Sequence, residues 1–163
     1  LQSGAIQVVA TDHCPFDLAL KKRLGDGDFR ESPGGLPGVE TRLPLLYSEG
    51  VAKGRLSLEQ FVAAVSTNPA KLMGLYPRKG VLAIGSDADL VIFDPERKVT
   101  IRNKNLHQRV DYCPYEGWQV TGWPETTLVR GRVVVDKGRL LARRGYGRFI
   151  HRQPFDAHDL MAS

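Results

Sequence analysis

The apolar positions change their period once along this chain, and that change divides it. After Gly4 comes Ala5-Ile6-Gln7-Val8-Val9-Ala10-Thr11, a mostly apolar run that stops at Asp12-His13-Cys14-Pro15. Apolar on both faces, it predicts a buried parallel strand rather than a half-exposed antiparallel one. Residues 16–38 turn to charge, Gly and Pro without periodicity, which predicts a long loop. Helical spacing returns at Val39, Leu43, Leu46 and Tyr47, with Pro44 confining the helix to a first turn or kinking it. Ser57 with Gln60 three positions on is a capping box, opening an amphipathic helix over residues 58–65. Thr67-Asn68-Pro69 predicts the start of a separate helix that runs to Gly74.

From Lys79 the spacing becomes strand-like. Residues 80–84 and 88–95, on either side of Gly85-Ser86-Asp87, predict a hairpin. Residues 99–101 and 128–135 predict further strand, and Asp136-Lys137-Gly138 turns the chain into Arg139-Leu140-Leu141. The expected organisation is an α/β part over residues 1–79, a β-rich part over 80–142 and a basic tail over 143–163.

Composition narrows the class. With 163 residues, 42% apolar and 25% charged, the chain has the size of about one domain. It has no run of ~18 apolar residues and no basic-then-apolar leader, which argues against a membrane-spanning protein and against a secretory precursor. Cys14 and Cys113 are too few for a disulfide framework, so a reduced, cytoplasmic chain is expected. The chain does not begin with Met, and Leu1-Gln2-Ser3-Gly4 has the look of a helix end with Gly4 as a left-handed cap; a piece of something longer is expected. Of the net charge of +5, residues 130–152 carry +7 and the remainder −2. Such a segment can bind nucleic acid or an acidic surface, yet only Tyr146 and Phe149 interleave it, which favours a solvated or subunit-contacting face.

Thr11-Asp12-His13-Cys14 places a carboxylate, an imidazole and a thiol at the end of the first predicted strand. Strand alternation would put Asp12 and Cys14 on one face and His13 on the other, so the three cannot easily share one metal. The carboxylate suits a hard or borderline divalent ion and can carry a proton in transit. The Gly-rich stretch Pro33-Gly34-Gly35-Leu36-Pro37-Gly38 can offer backbone groups to a ligand or simply turn into a helix. Asp87 and Asp89 fit a turn better than a metal pair, His107, His151 and His158 lack ligand-spaced partners, and Trp118 and Trp123 suit packing.

Thr11-Asp12-His13-Cys14-Pro15-Phe16, Pro33-Gly34-Gly35-Leu36-Pro37-Gly38-Val39-Glu40-Thr41-Arg42, Ser66-Thr67-Asn68-Pro69-Ala70-Lys71, Gly85-Ser86-Asp87-Ala88-Asp89, Asp111-Tyr112 and Glu116-Gly117 occur in this order. Together they resemble the carboxyl-terminal third of a dihydropyrimidinase or hydantoinase of the cyclic amidohydrolase family. The resemblance implies the last strand and helices of a metal-dependent (β/α)8 TIM barrel, then strands of a small β-sandwich. It implies a hydrolase that opens dihydropyrimidines or hydantoins to N-carbamoyl amino acids at two divalent metals, usually zinc, held by four histidines, one aspartate and a carboxylated lysine. Asp12 matches that aspartate, as metal ligand and proton carrier, and Gly34 matches an Asn whose backbone holds the substrate's amide edge. His13 and Cys14 match the motif without being ligands in it.

The histidines and the lysine that the resemblance requires lie outside these residues, and a complete barrel needs ~250 residues. The isolated chain is therefore expected to bind two metals poorly and to hydrolyse nothing. The complete protein would be a homo-oligomer, commonly a tetramer in the family, acting on a small molecule, with neither membrane nor nucleic acid as partner. The alternatives are a non-catalytic scaffold like the dihydropyrimidinase-related proteins, which typically lack this aspartate, and an allantoinase or dihydroorotase relative. Cys14-Pro15-Phe16 after Asp12-His13 leans toward the hydantoinase branch.

Overall fold

The structure, a computed structural model, describes residues 1–155. Four short helices precede one antiparallel sheet. Helix α1 spans Leu18–Gly25, α2 Arg42–Leu46, α3 Leu58–Val62 and α4 Asn68–Leu72. Strands β1 (Leu90–Thr100), β2 (Gln119–Val129), β3 (Arg132–Asp136) and β4 (Arg139–Leu140) lie in the order β1-β2-β3-β4.

The helices follow their sequence signals with two differences. Pro44 falls in the first turn of α2, where its missing N–H has no helical partner to lose. The Ser57 hydroxyl accepts the Gln60 N–H and the Gln60 side chain accepts the Ser57 N–H, completing the expected capping box. The expected break before Thr67 is absent: a π-helical turn over Ala63–Thr67 joins α3 to α4 and carries the winding through Pro69. That wider turn accommodates a residue without an N–H. Residues 16–38 are also not all loop, for they hold α1 and a 3-10 turn over Phe29–Glu31. Helix α1 buries no residue and so has no apolar face to announce it.

The first expected strand is corrected as well. Residues 5–11 pair with no strand among the described residues and are exposed or half-buried rather than buried; only His13 forms a bridge, parallel, with Leu36. The helices hold the segment instead. The Val9 N–H donates to the Ala64 carbonyl at 3.1 Å, the Arg42 guanidinium to the Val9 carbonyl at 2.6 Å and the Asn68 amide to the Gln7 carbonyl at 2.9 Å.

In the sheet, the expected hairpin around Gly85 is replaced by others. Residues 80–84 form no ladder, and Leu82 and Ile84 stand in solvent. Strand β1 pairs with β2 from Leu90↔Leu128 to Thr100↔Gln119, bulged between Asp94 and Lys98. Pro95 sits in that bulge, where no ladder N–H is required, and the Asp94 carboxylate accepts the Glu96 and Arg97 N–H groups. The expected continuous strand over 128–135 folds back at Arg130-Gly131, with φ +48° and +75°, a mirror-image two-residue turn. Lys137-Gly138 repeats the geometry at φ +47° and +77°.

Helices and sheet share one core. Ile101, Cys113 and Val120 are buried together, with Leu45, Val99, Leu106, Tyr115 and Trp123 packed around them. Burying a side chain such as Ile101 contributes about 2 kcal/mol. Beside this cluster Tyr47, Phe61 and Phe93 form an aromatic trio, with Tyr47 and Phe93 ring centroids 4.7 Å apart. Strand β2 approaches it so closely at Gly122 that a Cβ there would lie 2.3 Å from the Tyr47 ring. Buried Ser48 adds a polar link, its hydroxyl accepting the Thr121 N–H at 3.1 Å.

Candidate active site

Asp12 takes φ +44°, a left-handed conformation that Asp tolerates better than most residues. Such a residue interrupts strand alternation, so the expected sharing of a face by Asp12 and Cys14 does not set the geometry. The carboxylate is exposed. Strained backbone of this kind costs about 1 kcal/mol and concentrates at working sites.

His13 turns toward the Gly-rich loop. Its Nδ1 accepts the Gly38 N–H at 3.0 Å and the Val39 N–H at 3.3 Å, which leaves that nitrogen without a lone pair for a metal. The Cys14 N–H donates to the Leu36 carbonyl at 3.1 Å, and the Lys21 ammonium caps the Gly35 carbonyl. Residues 33–38 therefore lie zipped along the Asp12-His13-Cys14 segment. Gly35 is the closest point: at φ +110°, a Cβ there would stand 2.2 Å from the Cys14 Cβ. Gly34 faces open space, with nothing within 4 Å of a Cβ. Beside the same segment, Val9, Thr11, Pro37, Arg42, Tyr115 and Trp118 border a cleft of 390 Å³ that neither Asp12 nor Gly34 lines.

Among the described residues no three of His, Cys, Asp and Glu gather as a metal cage. Asp12 fits a divalent ion as a single exposed oxygen donor, and the remaining donors must come from elsewhere. Asp87 and Asp89 are structural: Asp87 pairs with Lys79 at 2.9 Å and Arg78 at 3.0 Å, while Asp89 pairs with Lys79 and accepts the Arg130 N–H at 2.8 Å. Lys79 and Arg78 in turn hold the Asp87 carboxyl below its ordinary value. Burial pushes the Cys113 thiol up and fits it to packing. In the basic segment, the Arg130 and Arg132 guanidinium groups lie over the Tyr146 ring, at 4.3 and 5.3 Å. His158 lies outside the described residues.

Two devices around the loop have no sequence signal, since their partners are far apart in the chain. The Asp111 carboxylate accepts the Leu18 N–H at 2.7 Å and the Ala19 N–H at 3.2 Å, and the Asp17 carboxylate accepts the Asp111 N–H at 3.2 Å. That exchange anchors α1, and the two accepted bonds lower the Asp111 carboxyl. The second device is His107, whose Nδ1 meets the Glu40 carboxylate at 2.7 Å and whose Nε2 meets the Gly138 carbonyl at 3.0 Å. Both ring nitrogens face acceptors, an arrangement that favours the protonated ring, and the Glu40 bond above all raises its pKa.

A raised histidine pKa stabilises the fold fully below the unfolded value, and this contribution disappears as pH rises through the folded one. The His107 side chain is 63% exposed, so solvent screens the pair to at most about 1 kcal/mol. The urea midpoint is expected to fall as pH rises from about 6.5 through the raised folded value, and to fall less in Glu40→Gln. Equal changes in both proteins would remove the pair from the stability of the loop.

An exposed carboxylate on left-handed backbone with a Gly-rich loop hydrogen-bonded to the residues that follow it is the arrangement this chain presents. The sequence profile of the Amidohydrolase family matches residues 1–134, and the chain belongs to that family. It is 48% identical over 155 residues to the D-phenylhydantoinase of Escherichia coli O1:K1 / APEC, covering 95% of this chain and 34% of the relative. A D-hydantoinase from Bacillus sp. AR9 superposes with TM-score 0.92 at 49% identity, over 94% of this chain and 34% of that one. The dihydropyrimidinase of Brevibacillus agri NCHU1002 gives TM-score 0.92 at 46% identity, over 95% and 34%. The chain spans about a third of the length of these relatives. The fold class expected from the resemblance holds: a partial α/β barrel segment followed by part of a small β domain. No helix among the described residues is long and apolar enough to cross a membrane.

Proposed function

We propose that this chain is the carboxyl-terminal part of a metal-dependent hydrolase that opens dihydropyrimidines or hydantoins to N-carbamoyl amino acids. One observation carries the reading: Asp12 stands exposed on strained backbone beside the zipped loop, in a chain 48% identical to a D-phenylhydantoinase. Asp12 would give one oxygen to a centre of two zinc ions, completed by four histidines and a carboxylated lysine from outside this chain, and that centre would supply an acidified water and a polarised ring carbonyl. Asp12 accepts the proton of that water and delivers it to the leaving ring nitrogen. The backbone at Gly34 holds the amide edge of the ring. The isolated chain, with a single ligand, is inactive, and the complete protein is a cytoplasmic homotetramer.

The direct test is to read the coding sequence upstream of Leu1 for the histidines and the lysine, then to assay the full product on dihydrouracil and hydantoin. A reading frame without them, or a full product without turnover on either ring, removes the reading. Gly34 gives a finer check. A methyl group there meets nothing in the protein, and the matching Asn already carries a Cβ, so Gly34→Ala is expected to leave the unfolding midpoint unchanged and KM within about threefold, as a contact through the backbone alone requires. A KM raised about tenfold or more takes the contact away from the Gly34 backbone.

A further inference from the structure

The proposed reaction requires the Asp12 carboxylate and the backbone of residues 33–38 to keep a fixed separation, and the backbone strain at Asp12 does not supply it. What spans the two is His13. It follows Asp12 directly, and its Nδ1 takes two successive peptide N–H groups, Gly38 and Val39, where the loop enters the turn before α2. The far side of that turn is fixed independently: the Thr41 and Arg42 N–H groups donate to the Gly38 carbonyl, and the Arg42 guanidinium holds the Val9 carbonyl. The His13↔Leu36 bridge then fixes the register of the loop beside the motif. Without the ring the Gly38 N–H is left partly buried with no acceptor, while the exposed Val39 N–H turns to water, so the loop loses its seat at Gly38.

We propose that His13 is a positioning residue for the hydrolysis, holding the Gly-rich loop that carries Gly34 against the Asp12-His13-Cys14 segment through its Nδ1 lone pair. The inference rests on the reaction proposed above. His13 neither binds metal nor moves a proton in this role; its Nδ1 hydrogen bonds go to the loop.

The experiment uses the full-length, metal-loaded protein and compares the wild type with His13→Asn and His13→Ala. The Asn amide oxygen occupies the same branch of the side chain as Nδ1 and accepts as it does. The expected result is a KM raised about tenfold in His13→Ala with kcat within about threefold, and both constants within about threefold of wild type in His13→Asn. Ala behaving like the wild type, or Asn failing as badly as Ala, overturns the proposal. Nitrogen-15 NMR of the wild type separates this from failure of the reaction itself. An unprotonated Nδ1 with a through-hydrogen-bond coupling to the Gly38 amide is expected whatever the substrate. A protonated Nδ1, or no coupling, overturns the proposal even if the enzyme turns over dihydrouracil. Absent turnover with the coupling intact removes the proposed reaction and, with it, the positioning role, while leaving the contact established.

Discussion

Asp12→Asn in the full-length, metal-loaded protein is expected to lower kcat for dihydrouracil by a factor on the order of 10³ or more, while the fold stays intact. General base catalysis alone is worth roughly 10² to 10⁴, and a ligand is weakened at the same time. Asparagine is the informative replacement because of the backbone. At φ +44° Asn is tolerated about as well as Asp, whereas Ala would add about 1 kcal/mol of strain and confuse folding with chemistry. The side chain is exposed, so its loss opens no cavity. Steady-state rates with metal content measured on the same samples decide the matter. A variant within a few-fold of wild type takes Asp12 out of the proton transfer, and a variant that has lost one metal but keeps the fold separates the two roles.

What could be read from the sequence follows the range of the interactions involved. The Ser57 capping box and the Lys137-Gly138 turn are set by residues within a few positions, and both form as expected. The turn at Arg130-Gly131 escaped because Arg is not a residue that announces positive φ, and the flanking apolar residues continue across it. Residues 5–11 carry the composition of a buried strand, but a ladder needs a neighbouring strand, and in this chain helices hold the segment instead. Asp12 stood out from its place in the Thr11-Asp12-His13-Cys14 run, and the match to the family profile follows the motifs that surround it. The anchoring of the loop did not stand out. Glu40 and His107, or Asp17 and Asp111, meet only after folding, across 67 and 94 positions, with no periodicity between them.

The loop's dependence on close approach makes Gly35→Ala the second large effect, and one that its neighbour controls. The added methyl would stand 2.2 Å from the Cys14 Cβ and 3.2 Å from its Sγ, on backbone at φ +110° that L side chains rarely adopt. Cys14 cannot simply retreat, because its N–H is committed to the Leu36 carbonyl on the same loop. Overpacking and backbone strain each cost about 1–3 kcal/mol, so the loop is expected to leave its seat rather than absorb both. Amide exchange at Cys14, Gly38 and Val39 should speed up together, and the urea midpoint should fall, while Gly34→Ala leaves all of these where they were. Cys14→Gly in the Gly35→Ala background removes the struck carbon but not the φ strain. The double variant should therefore recover part of the lost stability and leave the remainder as the cost of the left-handed backbone. Slow exchange preserved in Gly35→Ala would mean that the loop is not zipped to the motif, and the positioning of the loop by His13 would lose its structural basis.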